Sequence, residues 1–141
     1  FGEGGSIFTA IAFWALGQTV LVLVGKYYNL ITNYNIHEQI EKDNVAVGIG
    51  FAGALIGIGN LLRVASAENF ISWEENLMTF IFYMIVGLIL LPVARILTDR
   101  ILLPGRSLAD ELVNQVKPNQ GAAFLEASSY IGASFLITWC I

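Results

Sequence analysis

Charge is scarce in this chain. Of its 141 residues only 13% are Asp, Glu, Lys or Arg, and 56% are hydrophobic, whereas soluble domains carry about 25% charged residues. Histidine and cysteine are rarer still, with one of each, His37 and Cys140. A lone cysteine forms no internal disulfide, and neither residue has the spacing of a metal or haem site. The formal net charge of −4 does not suggest nucleic-acid binding. No Ser/His/Asp or Cys/His set falls on one face, so no catalytic residue is assigned. GIGFAG follows no strand and lacks the GK[ST] of a phosphate loop, so no nucleotide or other cofactor is assigned. Such hydrophobicity excludes disorder. No basic segment precedes the first apolar stretch, and no small-residue cleavage site follows it, so no signal peptide is expected.

What the chain does have is apolar length. Asn44–Leu62, NVAVGIGFAGALIGIGNLL, holds 19 residues without a charge, bracketed by Asp43 and Arg63. As a helix it would be about 28 Å long, close to the thickness of a bilayer core. Its five glycines would argue against a helix in water. In lipid the backbone has no alternative partner, and glycine lets another helix come close. Three more spans are similar: 22 uncharged residues between Glu3 and Lys26, 19 between Glu75 and Arg95, and 24 after Lys117 interrupted only by Glu126. The expected fold is an all-α membrane protein of four transmembrane helices, a soluble, very apolar bundle being the alternative.

Lys26, Lys42, Arg95, Arg100, Arg106 and Lys117 fall in the first and third loops, and only Arg63 in the second. Those two loops are therefore expected in the cytoplasm, with both termini and Ser66–Trp73 outside. Trp73 and the pair Tyr27–Tyr28 fall where an aromatic belt would sit. Each cytoplasmic loop also holds a short amphipathic pattern: Asn35 before IHEQIEK with Ile36 and Ile40 on one side, and Ser107 before LADELVNQV with Leu108, Leu112 and Val116 on one face. Pro118 would end the second. Polar connectors with chance patterning are the alternative.

A shift of 75 aligns the second and fourth spans: Lys42 meets Lys117, Asn44 meets Asn119, and Ile56–Gly57 meets Ile131–Gly132. The small pair Gly53/Gly57 falls on Ser128/Gly132, and the loop patterns align at a shift of 72. The expected organisation is two parallel two-span repeats, residues 1–75 and 76–141, in one compact membrane domain with a pseudo-two-fold axis along the membrane normal. KDNVAVGIGFAGALIGIGNLL and, more weakly, SLADELVNQVKPNQGAAFLEASSYIGASFLI resemble the bacterial domain of unknown function 350 family, over roughly Leu16 to Ile137. The resemblance implies a small inner-membrane protein of four spans in two repeats, with envelope stress as its associated context. It supplies no activity and no site residues, and Arg63 and Glu126 have no counterpart to lean on.

Glu126 is the sharpest single candidate, roughly 9 Å inside the membrane, where an ionisable group is either functional or paired. The functional reading is a proton or cation site; the structural one is a carboxyl bonded across helices to Ser129, Tyr130 or Arg95. Asn60 and Gln18 are interhelical hydrogen-bond candidates, and Arg63 reaches headgroups. Asn44 and Asn119 are interfacial helix caps or, on the other reading, substrate contacts. Gly50, Gly53, Ala54 and Gly57, with Ser128 and Gly132, form small-residue surfaces for packing or, alternatively, pore lining. The first functional expectation is a non-enzymatic protein of the bacterial inner membrane, surrounded by lipid, that assembles through its glycine-rich helices as a homo-oligomer or with other membrane subunits. The second is a small ion or proton channel or transporter using Glu126 and the glycine stripe.

Overall fold

In a computed structural model the chain is helical almost throughout. Residues 3–103, 105 and 107–141 are described; Arg106, counted above among the loop cations, lies outside the described residues. Among the described residues the helices are Ile7–Ile31 (α1), Ile36–Glu41 (α2), Val45–Ala67 (α3), Trp73–Leu97 (α4), Leu108–Val113 (α5) and Gln120–Cys140 (α6), and a π-helical turn, Thr98–Leu102, prolongs α4. The four long helices each start at a Ser or Asn whose side chain accepts a backbone N–H of the first turn: Ser6, Asn44, Ser72 and Asn119. Such caps satisfy donors that the helix itself cannot.

Three of these helices, α1, α3 and α4 with its π turn, are long and apolar enough to cross a membrane. α6 was expected as a fourth and is not among them. Its 21 residues would span about 31 Å, but Gln120, Glu126, Ser128, Ser129, Tyr130 and Ser134 dilute its apolar character.

α3 is the central helix. Of its most apolar stretch 56% is buried inside the bundle, against 22% for α1 and 28% for α4. It packs most extensively on α6, with α4 and α1 against its other sides. The α3–α6 register ascends in both chains of contact: Gly50 meets Glu126, Gly53 meets Ala127, Gly57 meets Tyr130, and Asn60 meets Ser134. The two helices therefore run parallel. At the crossing, a Cβ added to Gly53 would collide with Cα and Cβ of Ala127, so only glycine permits this approach. The outward faces of α1 and α4 carry Phe8, Trp14, Leu23, Met78, Ile85 and Ile89, all exposed as a lipid-facing surface requires.

α4 contains Pro92. Proline has no N–H, so the carbonyl of Leu88 four residues earlier loses its helical partner. Tyr27 of α1 donates its hydroxyl to that oxygen at 2.7 Å. Tyr27 thus repairs a defect in a neighbouring helix, and its partner in the expected aromatic belt, Tyr28, is fully buried in the core. Tyr28 continues the inward face set by Phe13, Val20 and Val24, which outweighs its nearness to Lys26.

The loop helices close one end of the bundle. Asn35 caps α2 as expected, and Ile36 is buried, but Ile40 is exposed. At α5 the Ser107 side chain makes no cap; Asp99 Oδ1 accepts the Leu108 N–H instead, at 2.6 Å. α5 ends at Val113, well before Pro118, with Leu108 and Leu112 buried and Val116 fully exposed. At the other end, Asn76 Oδ1 accepts from the Ile71 and Ser72 N–H groups, and Phe13 stacks on Trp73 at 6.0 Å.

Candidate functional site: a carboxylate enclosed by four helices

Glu126 is completely enclosed. One oxygen, Oε1, accepts from three donors on three helices: the Tyr28 hydroxyl of α1, Arg95 Nη1 of α4 at 2.8 Å, and the Tyr130 hydroxyl of α6 at 3.1 Å. α3 contributes an absence. A Cβ on Gly50 would stand 2.8 Å from Oε1 and 2.9 Å from Oε2, so glycine there makes room for the carboxylate. The second oxygen, Oε2, has no hydrogen-bond partner among the described residues. Arg95 is itself buried; its Nη2 lies 3.4 Å from the Tyr34 hydroxyl, and its guanidinium sits 5.5 Å from the centre of the Tyr34 ring. A charge pair in such an interior holds only when both partners are present and further bonded.

The cluster is approached from one side. A polar cavity of about 210 Å³ opens at the end of the bundle near α5, with Arg95 in its lining beside Thr32, Asn33, Asp99 and Ser107. Toward the opposite end, the Gly53–Ala127 and Gly57–Tyr130 contacts bring α3 and α6 together.

The small-residue stripe divides. Gly50, Gly53, Ala54 and Gly57 are buried, and the three glycines face α6 of the same chain. Ser128 and Gly132 are exposed, and a Cβ on Gly132 would meet nothing within 4 Å. Ala127 takes the place expected for Ser128, because one residue turns a helix by 100°. Asn60 is buried and donates to Ser134 Oγ at 3.3 Å, while its Oδ1 accepts from Arg63 Nε and Nη2. Gln18 is exposed. Asn44 and Asn119 cap α3 and α6 and also reach α5: Asn44 Nδ2 donates to the Leu112 carbonyl at 2.9 Å, and Asn119 Nδ2 to Glu111 Oε2 at 2.9 Å. Tyr28, Tyr34 and the accommodating role of Gly50 were not foreseen. The spacing Val20, Val24, Tyr28 was the available signal for the first.

No solved structure matches this chain. The chain is 25% identical to the UPF0719 transmembrane protein YshE of Bacillus subtilis (strain 168), across 89% of its own length and 87% of that protein's. Together with the apolar helices, this likeness marks an integral membrane protein. The model of the Domain of Unknown Function (DUF350) matches residues 4–141, and the chain belongs to that family.

Proposed function

We propose that the protein is a non-enzymatic subunit of the bacterial inner membrane that assembles with further copies of itself or with other membrane proteins. α6 is the fourth crossing, and α1–α3 and α4–α6 are the two parallel repeats. The cation-rich loops, with α2 and α5, face the cytoplasm. The parallel course of α3 and α6, each started by an asparagine cap, supports the repeat.

Gln18 carries the assembly reading. It lies midway along α1, on the outside of the bundle, and its amide has no hydrogen-bond partner among the described residues. Polar side chains at that depth face protein, not lipid. Beside Gln18 runs a groove of about 230 Å³ between α1 and α3, in which Gly17 and Gly59 offer close approach. The glycines of the α3–α6 crossing are used within the chain, so this outer groove is the surface left for a neighbouring subunit. Native mass measurement of the particle in mild detergent tests the reading. A particle larger than one chain, reduced to one chain by Gln18→Leu, is expected. A particle of one chain that also fails to cross-link in native membranes overturns it.

A second reading, a proton or cation site at Glu126, is favoured by the cavity at Arg95 and by an Oε2 with no hydrogen-bond partner among the described residues. Liposome flux that disappears in Glu126→Gln, with assembly unchanged, would select it.

A further inference from the structure

We infer that the groove between α1, α2 and α3 seats one anionic phospholipid. Gly25 lies in the groove and leaves its floor open. A Cβ there would stand 3.3 Å from Cζ of Phe51, whose ring forms part of the floor. Val22 on α1, with Ile36 and Ile40 on α2, completes an apolar furrow of about 320 Å³. Ile40, exposed on α2, forms one wall of it.

The rim is made of donors. Asn29 Oδ1 is taken by the Ile36 N–H at 2.7 Å, and Asn35 Oδ1 by the Glu38 N–H at 3.1 Å. Each amide is left with its NH₂ group, and Lys26 adds an ammonium on the same side of α1 as Asn29. Glu38 pairs with Lys42 at 2.9 Å, Glu41 lies 3.0 Å from His37, and neither acid is in the groove's lining. Lys26 has no acidic partner among the described residues. The lining therefore holds one lysine and no carboxylate above an apolar furrow, at a level from which a lysine reaches the headgroups. A phosphate above an acyl chain fits this arrangement, and a lysine with no carboxylate beside it in the lining favours a lipid of net negative charge over a zwitterion.

Native mass spectrometry of the full chain released from nanodiscs of equal parts phosphatidylglycerol and phosphatidylcholine tests this. One retained phosphatidylglycerol per chain is expected, in excess over phosphatidylcholine. Lys26→Gln lowers that preference about fivefold, while Lys26→Arg keeps it. Gly25→Leu fills the furrow and removes both lipids; circular dichroism reports whether each variant keeps its helix content. Equal retention of the two lipids, or a Lys26→Gln protein that binds like the parent, overturns the inference. Displacement of the lipid by inorganic phosphate would also overturn it, since that marks a site for a free anion.

Discussion

Arg95 of α4 and Glu126 of α6 meet at 2.8 Å through Nη1 and Oε1, and both are buried. Removing either alone strands the other in an apolar interior, at a cost of about 3–5 kcal/mol. Glu126→Ala and Arg95→Ala are each expected to lower the unfolding midpoint in detergent strongly. The double replacement Arg95→Met with Glu126→Leu should recover most of that loss, and a double variant as unstable as the sum of the singles would contradict the pairing.

At the α3–α6 crossing, the two backbones tolerate no added atom. Gly53→Ala should destabilise by about 1–3 kcal/mol through overpacking. Gly48→Ala and Gly132→Ala, where a Cβ meets nothing within 4 Å, should match the parent in the same thermal melts. Equal melting of all three variants would show that the crossing is not tight.

The Tyr27 hydroxyl matters only because Pro92 frees the Leu88 carbonyl. Tyr27→Phe should therefore cost about 1–3 kcal/mol, the penalty for a buried acceptor left unpaired. In a Pro92→Ala background the helix supplies its own N–H to Leu88, and the same Tyr27→Phe change should cost much less. A double-mutant cycle on unfolding free energies reads the difference.

Asn44 serves as a cap and also as a donor to α5, so Asn44→Ala should lose about 1 kcal/mol for the cap plus about 1 kcal/mol for the bond to Leu112. Asn44→Asp keeps the cap and loses the donor, and should fall between the parent and the alanine variant. If Asn44→Asp melts like the parent, the bond to Leu112 contributes nothing.

Much of this fold could be read from uncharged length and from the Ser and Asn residues that precede it. Glu126 announced itself because an acid inside an apolar run must be solved by something, and Arg95 and Tyr130 were within reach of that reasoning. Tyr28 was hidden by Tyr27 beside it: nearness to Lys26 suggested an interface, while the face shared with Val20 and Val24 decided its burial. The stripe of small residues predicted close approach but not the partner's rotation, so Ala127 stands where Ser128 was expected. α5 stops at Val113, where the Glu111 and Leu112 carbonyls accept from the Asn119 N–H and from Asn44 Nδ2 of α3 in place of a further helical turn, a choice that hydrophobic spacing does not record. Three helices, not four, meet the apolar requirement for crossing, because α6 spends its inward face on the polar groups of the core.

α5 is six residues long, yet it grips the first turns of two much longer helices. Leu112 holds Asn44 at the start of α3, and Glu111 holds Asn119 at the start of α6, through both its side chain and its carbonyl. Asp99, at the foot of α4, anchors the same short segment. Six residues thus tie together the ends of three long rods, so the placing of each end is set jointly with the other two and not by its own helix alone.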